Sequence, residues 1–186
     1  MISRFLAVFS LFCLCLDAHP ARADLLIEPY FGYGSAKQTA TITGSSTPGV
    51  NGTSSVNGTD LHYGARLGYA YSMLVAGGEY SKGTFTVSGF KTGHYEIYAF
   101  AGVRLPVLMN FLFGYVVKND ADGTGGDGGY KATLQFRILP LVNLNLEYID
   151  TKAKGLEPAP AGPSAGMDAK TDTKGFGVSI SLPLEL

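Results

Sequence analysis

From Tyr130 to Asp150 the chain alternates apolar and polar residues, and it does so twice across a proline-centred break. Tyr130, Ala132, Leu134, Phe136 and Ile138 fall on one face of an extended chain, with Lys131, Thr133, Gln135 and Arg137 on the other. After Leu139-Pro140-Leu141 the pattern resumes, and Val142, Leu144, Leu146 and Tyr148 are opposed by Asn143, Asn145 and Glu147. A period of two sends successive side chains to opposite faces of a strand, so this stretch predicts two antiparallel strands joined by a tight turn.

The chain also begins like an exported protein. Met1-Ile2-Ser3-Arg4 carries a positive charge, Phe5 to Leu16 is an apolar run, and Ala21-Arg22-Ala23 is a small-x-small cleavage site. Together these predict a signal peptide over residues 1–23 and one mature domain over 24–186. The twelve-residue run is too short for a membrane helix, which needs about 20. Cys13 and Cys15 both lie in the leader, and neither follows the small residue of a lipoprotein signal. Neither a lipid anchor nor a disulfide is expected.

In a soluble sandwich the charged face would meet water and the apolar face a core. A soluble ligand-binding barrel of the lipocalin kind would likewise need an apolar inside and a polar outside. For an exported chain with Lys131, Arg137 and Glu147 on the polar face, lipid outside and a polar lumen inside account for both faces at once. A register slip of one residue would turn Lys131 and Arg137 toward lipid, at roughly 2–4 kcal/mol each near the midplane.

Eight such segments can be counted, near 25–34, 60–71, 73–83, 93–105, 108–117, 129–139, 141–151 and 174–185. Each has about the 9–11 residues of a tilted spanning strand. The fold expected is an all-β, eight-stranded, antiparallel up-and-down transmembrane barrel. Connections at Tyr71-Ser72-Met73, Leu105-Pro106-Val107 and Leu139-Pro140-Leu141 are short. Those near 35–59, 84–92, 118–128 and 152–173 are longer and rich in Gly, Ser, Thr, Asp and Pro. That asymmetry predicts short periplasmic turns, longer outer loops, and both termini in the periplasm.

On the outward parity, at the end of each strand next to a longer loop, stand Tyr33, Tyr63, Tyr80, Tyr95, Tyr115, Tyr130, Tyr148 and Phe176. Amphipathic rings suit the lipid–headgroup boundary, so these predict an outer aromatic girdle. Plain β-propensity of tyrosine would not select both face and strand end. Tyr71 is the clearest member of an inner belt. The opposite parity predicts a lumen charge network of Arg66, Arg104, Lys131 and Arg137 against Glu28, Glu79, Glu96 and Glu147. Tyr30, Tyr98 and Phe100 accompany them, with Gly32, Gly64, Gly68, Gly77, Gly102 and Gly114 between. Eight strands enclose little more than their own side chains, and unpaired buried charge is costly. A plug of salt bridges is therefore expected rather than a channel, with a charged ion path as the alternative.

Catalytic, metal and cofactor sites are not expected. His62 and His94 are the histidines of the mature chain, on the inward parity with Ser81 and Glu96 in reach, but the spacing matches no hydrolase pattern. They are expected to be polar rim residues of the lumen. Asn119 to Asp127 is acidic and glycine-rich but lacks the twelfth-position glutamate of a calcium loop. The repeat Val50-Asn51-Gly52-Thr53 and Val56-Asn57-Gly58-Thr59 predicts Asn-Gly turns. Pro158, Pro160 and Pro163 predict a mobile last loop. The chain carries 14 basic and 15 acidic side chains, which gives no basic excess for nucleic acid.

The strand count, aromatic rim, balanced lumen and leader resemble the small bacterial outer-membrane barrels related to OmpX and the OmpA transmembrane domain. Ile27-Glu28-Pro29-Tyr30-Phe31-Gly32-Tyr33-Gly34 resembles their first strand. Gly175-Phe176-Gly177-Val178-Ser179-Ile180-Ser181-Leu182 is similar to their C-terminal assembly signal. The chain departs from the pattern in ending Pro183-Leu184-Glu185-Leu186, without a terminal aromatic, and no peptidoglycan-binding domain follows. The resemblance implies a monomeric barrel in the bacterial outer membrane. Its partners would be membrane lipid, lipopolysaccharide and, during insertion, the barrel-assembly machinery. Envelope structure and surface-loop display or recognition would be its work, with a narrow pore or transporter for small solutes as the alternative.

Overall fold

The computed structural model describes residues 23–43, 51–105, 108–121, 124–126, 128–154 and 168–186. The predicted signal peptide, apart from Ala23, lies outside these residues, as do Pro106, Val107 and the prolines of the last loop. Eight long strands make the wall: β1 (Ala23–Thr43), β2 (Gly52–Tyr71), β3 (Leu74–Val87), β4 (Phe90–Leu105), β5 (Met109–Ala121), β7 (Gly129–Leu139), β8 (Val142–Lys154) and β9 (Asp168–Ser181). Two short pieces join them, β6 (Thr124–Gly126) against β5 and β10 (Leu184–Glu185) against β1.

Every wall strand pairs antiparallel with its sequence neighbour, and β1 also pairs with β9 from Tyr30↔Ser181 to Thr43↔Asp168. The sheet therefore closes on itself, and closure removes the free edges that an open sheet would expose. The alternation of Tyr130–Asp150 becomes the β7–β8 hairpin, with Leu134 opposite Leu146 and Gln135 opposite Asn145.

The barrel is inside-out. Among the described residues, eighteen buried side chains are polar or charged and nine are apolar, whereas Phe31, Leu67, Leu74, Phe111, Leu146 and Ile180 stand exposed on the outer wall. No soluble core has that balance. An apolar exterior with every wall ladder paired is the arrangement hydrocarbon demands of a strand-built span.

Inside, the lumen is layered. Leu26, Ala70, Val75, Phe100 and Leu112 form an apolar plug at the short-turn end. An ionic layer lies above it, and above that lies a cavity toward the other strand ends.

The strands run further than their apolar periodicity indicated. Residues 35–43 and 52–59 are strand, not loop: β1 and β2 stay paired as far as Ile42↔Gly52. Asn57-Gly58 is no turn but sits in the ladder opposite Lys37 and Ala36. Hydroxyl pairs hold this extension, Thr39 with Ser55 at 3.0 Å and Thr41 with Thr53 at 3.3 Å. Residues polar on both faces carry no hydrophobic signal, so cross-strand pairing decides.

The connection near 84–92 is likewise a two-residue turn. Val87 pairs with Phe90 around Ser88 (φ 48°) and Gly89 (φ 90°). Two successive positive φ values match the twist of a hairpin, and glycine takes the second at no steric cost. The remaining longer connections also shrink, because β5 runs to Ala121, β8 to Lys154 and β9 begins at Asp168.

Candidate functional site

The ionic layer is built from six strands, each contributing alternate residues of its inward face. Arg66 of β2 is wholly buried at its centre. Its Nε lies 2.8 Å from Glu79 Oε2, its Nη2 3.4 Å from Glu147 Oε1 and its Nη1 3.5 Å from Glu28 Oε1. The last contact is an ion pair without a hydrogen bond. Lys131 Nζ sits 2.7 Å from Glu79 Oε1 and 3.1 Å from Glu147 Oε2, so two cations share two carboxylates.

Tyr30 ties the group together. Its hydroxyl donates to Glu79 Oε1 at 2.7 Å, and its ring lies 4.7 Å from the Arg66 guanidinium and 4.9 Å from Lys131 Nζ. Cations over an aromatic face are stabilised further when water is excluded. Glu28 accepts from Gln135 Nε2 at 2.8 Å and Asn143 Nδ2 at 3.4 Å, and also from the Ser181 hydroxyl. Ser179 donates to Glu147 Oε1 at 2.6 Å. Carboxylate lone pairs are thus met by donors from β7, β8 and β9, which is what makes buried charge tolerable.

His62 is the member that parity alone undervalued. Expected at a polar rim, it is 2% exposed, because Gly32 across the ladder leaves room for its ring. Its Nδ1 lies 2.8 Å from Asp60 Oδ2 and its Nε2 3.1 Å from Glu147 Oε2. With a carboxylate oxygen at each nitrogen, the geometry suits a ring that donates from both. Glu28, Glu79, Glu147 and Asp60 then face Arg66, Lys131 and His62, four carboxylates against three cations. Neither nitrogen is left to take a proton from Ser81, so the group is an electrostatic lock rather than a base beside a nucleophile.

The lumen glycines other than Gly114 act as seats rather than voids. A Cβ on Gly64 would lie 2.1 Å from the Tyr80 carbonyl oxygen and 2.7 Å from the Tyr30 hydroxyl. Gly77 presses on the β2 backbone in the same way, 2.2 Å from the Leu67 carbonyl oxygen.

Of the eight charges expected in one network, five meet: Glu28, Arg66, Glu79, Lys131 and Glu147. Glu96 does not join a cation and instead accepts from the Tyr98 hydroxyl. Arg104 and Arg137 lie at the short-turn end and share Glu185, at 3.0 and 3.7 Å. Their expected partners are replaced by a residue beyond Pro183 to which no role was given. Ser179, Ser181 and Glu185 share one parity, which is the signal that could have found them.

The eight aromatics all stand on the outer wall, none of them buried. Tyr115 is directly opposite Tyr130, and Tyr148 opposite Phe176. Tyr130 and Tyr148 have ring centroids 6.0 Å apart, Tyr148 and Phe176 4.9 Å, and Tyr80 and Tyr95 6.3 Å. Tyr95 is the odd member: it pairs with Asp120 rather than near Tyr115, beside the bulge at Ile97/Tyr98.

The geometry defines a closed eight-stranded antiparallel barrel with an apolar wall and an ionically locked lumen. No protein-family model and no curated protein matches the chain in sequence. Solved structures that resemble it include small outer-membrane barrels. Neisserial surface protein A is 14% identical, with 83% of this chain and 96% of that one covered and a TM-score of 0.46. The outer membrane protein AlkL, solved in lipid bilayers, is 14% identical, covering 91% and 94% with a TM-score of 0.48. OprG from Pseudomonas aeruginosa is 13% identical, covering 88% and 97% with a TM-score of 0.38. Likeness of this degree carries no information about role.

Proposed function

We propose that this chain is an integral barrel of the bacterial outer membrane that is closed to ions at mid-height. Its work is envelope structure and the display of its outward hairpins. The observation that carries this reading is the ionic layer, in which Arg66, Glu28, Glu79, Lys131 and Glu147 are each no more than 5% exposed and lie over an apolar plug. An ion crossing the lumen would have to displace carboxylates already bound by buried cations. The apolar wall and its aromatic ring support lipid and lipopolysaccharide as its surroundings. Insertion is the task of the barrel-assembly machinery, with the short turns and both termini on the periplasmic side and the barrel acting as a monomer.

Planar-bilayer recording on the refolded barrel tests the closed lumen. No steady conductance step is expected, and a large stable step would refute closure. A second reading, a narrow route for small solutes, is favoured by the cavity above the ionic layer. Under it, liposomes carrying the barrel take up small solutes and Arg66→Ala alters their selectivity.

A further inference from the structure

Above the ionic layer the lumen opens into a cavity of about 210 Å³. Carboxylates predominate in its lining, and the doubly donating His62 is already held by Asp60 and Glu147. Asp60, Glu96 and Asp120 contribute carboxylates, His62 and His94 imidazoles, and among the described residues no lysine or arginine reaches it. Phe85 and Ile149 supply an apolar wall.

Two acceptors in this lining lack a hydrogen-bond donor, Asp60 Oδ1 and Asn119 Oδ1, although their residues are only 9% and 6% exposed. Asp60 spends its other oxygen on His62, and His94 Nε2 approaches Oδ1 only as an ion pair at 3.5 Å. Asn119 spends its amide donor on the Lys152 carbonyl at 3.2 Å. Buried acceptors are ordinarily satisfied, and an orphan pair at one cavity asks for donors from outside the chain.

The geometry points to a binding site for a small organic ammonium ion, its N–H groups donated to Asp60 and Asn119 and its apolar body against Phe85. Negative lining favours positive charge, unmet acceptors favour N–H over a bare ion, and an aromatic wall favours a cation that carries hydrocarbon. A hard divalent metal fits less well, since it needs several converging oxygen ligands and no such cluster occurs among the described residues. The volume limits the occupant to a short chain or single ring.

Isothermal titration calorimetry on the full barrel in detergent, its folding checked by heat-modifiable gel shift, tests this. The probes are 1,4-diaminobutane, the uncharged 1,4-butanediol and magnesium chloride, at matched ionic strength. Saturable binding of the diamine alone is expected. Asp60→Asn should weaken it roughly tenfold or more, the scale of a lost charge-assisted bond, and Glu96→Gln, which removes a lining charge without a bond to the ion, should weaken it less. Asn119→Asp, which adds an acidic acceptor, should tighten it, so the proposal stays testable if Asp60→Asn does not fold. Glu185→Gln, at the opposite end of the lumen, should leave it unchanged. No saturable heat from a folded barrel, equal binding of the diol, magnesium competing for the site, or affinity indifferent to both Asp60→Asn and Asn119→Asp would each overturn the assignment.

Discussion

Two clusters in this lumen use the same chemistry at different depths. At mid-height Arg66 meets Glu28, Glu79 and Glu147 with its side chain wholly buried. At the short-turn end Arg104 and Arg137 share Glu185, with side chains 21%, 38% and 32% exposed. Distances overlap between the clusters, so distance is not what separates them. Water is. A half-exposed pair keeps much of its hydration whether paired or not, and its attraction is screened. A buried pair has surrendered hydration and depends on its partners completely.

The largest effect should come from Arg66→Met, which removes the cation shared by three buried carboxylates and leaves Glu28 with its hydrogen bonds alone. It should cost about 3–5 kcal/mol, measured by denaturant unfolding of the barrel in detergent. Adding Glu79→Leu should recover part of that loss, because two mismatched groups are removed together. A loss below about 1 kcal/mol for Arg66→Met would place the two clusters on one footing and break the comparison.

Gly77→Ala touches no charge yet forces β3 away from the Leu67 carbonyl, and should cost about 1–3 kcal/mol. If it matched Arg66→Met, wall spacing rather than charge would dominate the lumen. Glu185→Gln should cost under about 1 kcal/mol. Raising salt should abolish even that difference between Glu185→Gln and the parent while leaving the Arg66→Met deficit intact, the smallest effect and the sharpest test of screening.

Much of the wall was legible because strand parity is local. Lys131, Thr133 and Gln135 are buried and Tyr130 is exposed, as a period of two requires. The outer halves of β1 and β2 were not legible, since Ser, Thr and Ala pattern neither face. Nor was the burial of His62, which rests on Gly32 lying directly opposite in the closed ladder. The charge balance was counted as a total, and a total cannot say that Glu96 answers to Tyr98 or that Arg104 answers to Glu185.

By itself the sequence determined sidedness, because a one-residue alternation commits each strand to an apolar and a polar face wherever it sits. Only closure of the sheet decided partnership. Gln135 reaches Glu28 across 107 residues of chain, and Ser181 reaches it across 153. Such meetings depend on strand register and the width of the ring, which belong to the whole barrel and are written in no single segment.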